Sequence, residues 1–305
     1  MGHNHSHSHG HSHSHSNNKK ALLWSFLLIA SYMVVEGIGG FLTNSLALLS
    51  DAGHMLSDAA ALGLSLFAMK LGEKKATNLK TYGFKRFEII AAALNGLTLI
   101  IISLYIFVEA YHRMANPPEV QSLGMLTISV IGLLVNILAA WMLMRGDKEE
   151  NLNVRSAFLH VLGDMLGSVG AIVAALLIYF FGWGLADPIA SIFVAILIII
   201  SGWRITKESF HILMEGTPEQ IKLAEVKEEI MKIPLVRNVH DIHVWSITSG
   251  VFMLSGHISV EGKGTHDHVL RAAQTLLHDR FGIDHSTLQV EAEEQGCPCA
   301  HEPCN

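Results

Sequence analysis

Six apolar stretches alternate with short polar connections along the first two thirds of the chain, at residues 21–42, 45–71, 87–111, 123–144, 153–181 and 185–205. Each reaches the ~20 residues that a helix needs to cross ~30 Å of hydrocarbon. The pattern therefore predicts six transmembrane helices. Beyond residue 214 it changes. Thr217-Pro218-Glu219 reads as a helix start, with an amphipathic helix running to Lys232. Residues 239–247 read as a strand. Residues 251–261 alternate, with Phe252, Leu254, Ile258 and Val260 on one face and Met253, Ser255, His257, Ser259 and Glu261 on the other. A helix over 267–281 and a short strand over 287–291, with Leu288 and Val290 inward, complete a small α+β domain of about 75 residues, a size that favours oligomerisation. The expected divisions are a disordered arm (1–18), a six-helix membrane domain (19–213), an α+β domain (214–292) and a tail (293–305).

Polar residues inside the apolar stretches carry the chemistry. His54 and Asp58 stand four apart in the second stretch, and His160 and Asp164 repeat the spacing in the fifth. Residues four apart share a helix face. Two such faces turned toward each other offer two nitrogens and two oxygens, a tetrahedral set for zinc or a similar ion. Ionisable groups in a span are costly and functional by default. Asn44, Asp51, Asp58 and Ser65 recur every seven residues, a polar stripe in which Asn44 and Asp51 line the pathway to the pair. Ser156, His160, Gly163, Asp164 and Gly167 form a small and polar stripe on the fifth stretch, suited to close helix approach in lipid.

The connections are lopsided in charge. Lys19 and Lys20 precede the first stretch, six Lys or Arg lie at 70–86, Arg145, Lys148 and Arg155 follow the fourth, and Arg204 and Lys207 end the sixth. The first and fifth connections have none and the third only Arg113. The positive-inside rule then sets both termini in the cytoplasm. The second and fifth stretches take equivalent places in two oppositely oriented halves, the arithmetic of an inverted repeat with its site at the interface. Both pairs lie roughly 10–18 Å from the cytoplasmic helix ends at ~1.5 Å per residue.

Composition agrees with a polytopic membrane protein: 50% hydrophobic and 16% charged residues argue against a soluble enzyme. A formal charge of −6 argues against a nucleic-acid binder. The leader, with His3, His5, His7, His9, His11, His13 and His15, has the composition of a disordered metal-collecting arm, and no cleavable signal is expected. Cys297, Cys299 and Cys304, with His301, form an accessory soft-donor cluster at the end of the chain. In the α+β domain, His257 and Glu291 fall on polar strand faces, and His240, His243 and His285 lie near strand starts. A set drawn from these offers a second metal site. Gly262-Lys263 lacks the spacing and the Ser or Thr of a P-loop, so no nucleotide or other organic cofactor is expected. Two other readings compete with a carrier. An intramembrane metalloprotease needs His-Glu-x-x-His, which does not occur here. A metal sensor or store fits the cytoplasmic donors but has no use for the buried pairs.

The run from Ser45 to Asp58, SLALLSDAGHMLSD, resembles the signature of the cation diffusion facilitator family. So do Tyr82-Gly83-Phe84-Lys85-Arg86-Phe87-Glu88 before the third stretch and His240-Asp241-Ile242-His243-Val244-Trp245 in the tail. The resemblance is to its bacterial efflux proteins for cadmium, cobalt and zinc. It implies a homodimer in the cell membrane, joined in part through a ferredoxin-like, metallochaperone-like cytoplasmic domain. It implies exchange of metal for protons, in some members for potassium too, and no enzymatic activity. On the family pattern the transport site maps onto His54, Asp58, His160 and Asp164, with a histidine first as in zinc-selective members. A cytoplasmic zinc site maps onto His240, His257, His285 and Glu291. One departure is clear: residues 72–86 contain no histidine, so the further site that some members carry there is not expected.

Overall fold

The computed structural model describes residues 12–72, 76–144, 152–248, 250–261 and 266–292. Six long helices come first: α1 (Ser12–Thr43), α2 (Leu46–Gly72), α3 (Phe87–Ala115), α4 (Ser122–Met144), α5 (Leu152–Phe181) and α6 (Ala186–Leu213). Then follow α7 (Leu223–Met231), β1 (Val236–Thr248), β2 (Val251–Val260), α8 (His266–Phe281) and β3 (His285–Ala292). Among the described residues, α1, α3, α4, α5 and α6 are long and apolar enough to cross a membrane, and α2, at 27 residues, is long enough as well. The chain divides into a helical unit, residues 1–62 and 95–203, and a sheet unit, residues 63–94 and 204–305.

In the helical unit α4 packs on both α1 and α5. Small residues set the spacing. Ala47 and Leu48 of α2 pack with Met125 of α4, with Ala171, Ala174 and Ala175 of α5, and with Ala186 at the head of α6. Without a hydrophobic drive between helices in lipid, such close approach is what gives dispersion contact. The turn between α1 and α2 is made by Asn44 at φ 56°, a left-handed conformation that asparagine tolerates. Ser45 then caps α2, its Oγ accepting from the Leu48 amide at 3.3 Å. The fully buried Asp187 carboxylate accepts from the Leu46 and Ala47 amides at 2.8 and 3.2 Å and from Ser45 Oγ at 2.6 Å. An anion thus meets the positive end of α2. Arg113 donates to the Asn44 carbonyl at 2.7 Å and stands 3.9 Å from Asp187.

The sheet unit has the order β1-β2-β3, with β1 and β2 antiparallel and β3 parallel to β2 after the α8 crossover. Its core is Val226 and Ile230 of α7, Val239, Val244, Leu254 and Ile258 of the sheet, and Val269, Ala273 and Leu277 of α8. Residues 77–86 belong to this unit. Arg86 pairs with Glu215 at 2.9 Å, and Thr248 donates to Glu88 at 2.5 Å.

Three expectations change. The arm was expected to be disordered to residue 18, but α1 begins at Ser12; residues 1–11 and the tail from 293, with its cysteines, lie outside the described residues. The helix expected from Thr217 begins at Leu223, because a turn closed by the Ile221 amide on the Pro218 carbonyl, 2.9 Å, first buries Ile221 in the core. The sixth helix runs on from 205 to Leu213, past the apolar stretch, and stops where Glu215 turns left-handed and the Gly216 amide returns to the His211 carbonyl.

Candidate metal sites

α2 carries His54 and Asp58, and α5 carries His160 and Asp164, each pair at the predicted one-turn spacing. The two helices meet through Asp51 and Gly167. A Cβ on Gly167 would stand 3.0 Å from the Asp51 carboxylate, so only glycine lets α5 come this close. Ala47 and Leu48 of α2 meet Ala171 and Ala174 of α5 on the other side of that contact, so the helices run antiparallel. The register follows from equal rise on both helices. Three residues on from Asp51 is His54, and three back from Gly167 is Asp164. Seven on is Asp58, and seven back is His160. Each imidazole position is thereby level with a carboxylate position across the pair. His54 is half-buried and Asp164 buried. The side chains of Asp58 and His160 lie outside the described ones. Asn44 stands before the start of α2, exposed in the turn, and so is not on the helical stripe; its side-chain oxygen lies 3.4 Å from Arg113. Asp51 is buried on α2 one turn before His54.

In the sheet unit His240 and His257 are cross-strand partners on β1 and β2, their rings 5.3 Å apart. Glu291 of β3 reaches both, with Oε1 3.1 Å from His240 Nε2 and Oε2 3.6 Å from His257 Nδ1. Donor atoms of these three residues lie within 4.8 Å of one another. The Nδ1 atoms of both histidines are buried without a hydrogen-bond partner among the described residues. Orphaned buried imidazole nitrogens beside a carboxylate fit a zinc-like ion, which takes nitrogen and oxygen donors at ~2.0–2.2 Å.

His285, the fourth expected member, stands elsewhere. It pairs with Met253 at the opposite end of β3, exposed, its ring edge-on to Tyr82 at 6.5 Å. The residue opposite His257 on β3 is Gln289. A further carboxylate not foreseen from the sequence approaches instead. Asp241 lies 3.8 Å from His257 Nε2 and 3.0 Å from His243 Nε2. It adopts φ 50° at a register shift of β1 between His240 and His243, a bulge that re-aims side chains. Regular alternation along β1 hides such a displacement. Glu36, buried on α1, is the other missed acid; a lone Glu in an otherwise apolar stretch was the available signal.

A family model described as the cation efflux transmembrane domain matches residues 22–214, and a second, for the cytoplasmic domain of cation efflux proteins, matches residues 218–293. The chain is 57% identical to the cadmium, cobalt and zinc/H(+)-K(+) antiporter of Bacillus subtilis (strain 168), covering 96% of this chain and 93% of that one. It is 45% identical to the zinc transporter ZitB of Escherichia coli (strain K12), covering 95% and 91%. A solved structure, the metal-bound C-terminal domain of the CzcD transporter from Cupriavidus metallidurans, is 36% identical, covers 23% of this chain and 99% of its own, and has a TM-score of 0.22.

Proposed function

The chain belongs to the cation efflux family, and on that premise we propose that it exports divalent metal ions, zinc with cadmium and cobalt, from the cytoplasm in exchange for protons. The relatives' names support the cargo and the counter-ion, including potassium as a further exchanged ion. We divide the chain as the two family matches suggest, into a membrane part and a cytoplasmic part, with both termini in the cytoplasm of a homodimer in the cell membrane. It is a carrier and not an enzyme.

The observation that carries this reading is the antiparallel register of α2 and α5. Counted along both helices from the Asp51–Gly167 contact, it supports His54 level with Asp164 and Asp58 level with His160, and these four residues are the proposed transport site. Metal enters from the cytoplasm when the donors are free of protons, because protonation occupies the imidazole's lone pair and strips the carboxylate of the charge that makes it a ligand. The helices then expose the site outward, where protons compete for the same atoms and release the ion. The ion is cargo, so its hold must be reversible, and two nitrogens with two oxygens bind it less tightly than thiolates do. His240, His257 and Glu291 form the proposed cytoplasmic metal site, with Asp241 beside it and His285 outside it.

Asp164→Ala removes one donor from the tetrad. In proteoliposomes we expect zinc-driven proton flux to fall to background, with Asp58→Ala behaving alike and thermal melting within a few degrees of the parent protein. Parent-like flux in Asp164→Ala ends this reading.

A further inference from the structure

The connection between α2 and α3 contains a closed turn with an apolar tip. The Thr77 amide donates to the Lys80 carbonyl at 3.1 Å, and the Lys80 amide returns to the Thr77 carbonyl at 3.0 Å. The Gly83 amide then bonds the Lys80 carbonyl at 2.9 Å. Asn78 and Leu79 form the tip. Leu79 is 96% exposed, more than any other large apolar side chain described. It belongs to no helix and to no part of the sheet domain's core. Lys80 beside it and Lys85 further along are exposed, with no acid at ion-pair distance among the described residues. The Lys80 ammonium stands 4.2 Å from the centre of the Phe84 ring.

The rest of the segment is anchored. Tyr82 meets the His285 ring edge-on at 6.5 Å, Arg86 pairs with Glu215 at 2.9 Å, and Glu88 accepts from Thr248. The turn is therefore held in place while its tip stays uncovered. A single exposed leucine calls for no partner by itself. Its surroundings supply the argument. Residues 70–86 contain six Lys or Arg against one Glu, in a chain whose net charge is −6. Cations around an apolar tip complement a surface with anionic groups outside and hydrocarbon beneath: phosphates attract the ammoniums, and the boundary below takes the leucine and the lysine stems. The tip is also within reach of such a surface. Leu79 is seven residues beyond α2 and eight before α3, which keeps it within ~25 Å of the span ends at ~3.3 Å per residue. A second copy of the chain fits less well, since a two-fold contact would set this segment against its own image, cation against cation.

We propose that the connection between α2 and α3 docks on an anionic lipid surface, with Leu79 entering the boundary between headgroups and acyl chains and Lys80 and Lys85 binding lipid phosphates beside it. The two helices deliver the turn to the membrane, so docking is an intramolecular step at high effective concentration. Tyr82, Arg86 and Glu88 of the same segment hold the sheet domain. The docked turn thus becomes part of that domain's mount on the membrane, and the charge of the lipid decides how firmly it is held.

The test uses the full-length chain with its three cysteines replaced by serine and Asn78→Cys carrying an environment-sensitive fluorophore. It is placed in nanodiscs of zwitterionic lipid, or of lipid about one third anionic, with and without bromine on the acyl chains. We expect bromine to quench the probe in the anionic discs and much less in the zwitterionic ones. Salt at about 1 M, which shortens screening to ~3 Å, should weaken the quenching. Adding L79S, or K80Q with K85Q, should lower the ratio of docked to free turn by at least about fivefold, with thermal melting within a few degrees of the parent. Equal quenching in the two lipids overturns the proposal, as does quenching that survives both sets of substitutions. A probe that is shielded in zwitterionic discs but not quenched by bromine overturns it in favour of a protein partner, a second copy of the chain included. Both faces of a nanodisc carry the same lipid, so the result stands whichever side of the membrane the connection faces.

Discussion

His285 and Glu291 share one strand at a spacing of six residues, which separates them by ~20 Å at ~3.3 Å per residue. One ion cannot bridge that distance within one chain. The candidate set is therefore His240, His257 and Glu291, and the substitutions should sort accordingly. His257→Ala and Glu291→Gln each remove a donor and should weaken zinc binding at this site by at least about tenfold, the lower range seen when metal sites lose supporting groups. His285→Ala should leave it within about twofold, read by calorimetry on full-length protein whose membrane site carries Asp164→Ala. Asp241→Asn, at 3.8 Å from His257, should fall between. Equal losses for His285→Ala and His257→Ala would show that the register of β3 differs from the one described here. The histidines and Glu291 were legible as polar positions on alternating strands. Which of them meet was not, because it depends on pairing: parallel alignment of β3 on β2 sets Gln289, not His285, beside His257. Asp241 was illegible for a local reason. Its left-handed backbone makes a bulge, and a bulge leaves no trace in a pattern of alternation.

At the scale of elements, the six spans and the order of the sheet domain could be read directly, since hydrophobic length and period-two alternation are strong signals. Helix contacts could not, because lipid-facing and protein-facing residues are equally apolar and the difference lies in residue size. Gly202 illustrates this. A Cβ there would stand 2.9 Å from the Gly96 carbonyl oxygen and 2.9 Å from Leu99 Cβ, backbone and near-backbone atoms that cannot swing away. Gly202→Ala must push α6 from α3 and should cost about 1–3 kcal/mol, the usual range for overpacking. Gly170→Ala on α5, where a new Cβ meets nothing within 4 Å, is the control and should be neutral. Thermal melting in one detergent compares them. Equal melting of both variants with the parent would mean that α3 and α6 are not in backbone contact. Asp187 makes a related point. As a sequence feature it is one acid at a helix start, yet it binds the head of α2 and, through Ser45 and the neighbouring Arg113, ties together the ends of three helices.

For the whole molecule, the direction of transport depends on which side each end of the bundle faces, and only the charge asymmetry of the connections speaks to this. Lys and Arg cluster after α2, after α4 and after α6, whereas the connections after α1 and α5 have none. Moving that cluster across a membrane is unfavourable, so the proposed topology keeps those connections in the cytoplasm, and six spans would return the chain to the side where it began. The chain carries its own reporter. Its cysteines are Cys297, Cys299 and Cys304, all beyond the sheet domain. A membrane-impermeant maleimide should leave the parent protein unlabelled in spheroplasts and label it after permeabilisation. Replacing the three cysteines by serine and introducing Asn116→Cys, in the connection between α3 and α4, should reverse the result, with labelling before permeabilisation. Labelling of the native cysteines in sealed spheroplasts would put the cytoplasmic metal site and the tail outside. The membrane site would then be loaded from the opposite side, and the same geometry would describe an importer of metal rather than an exporter.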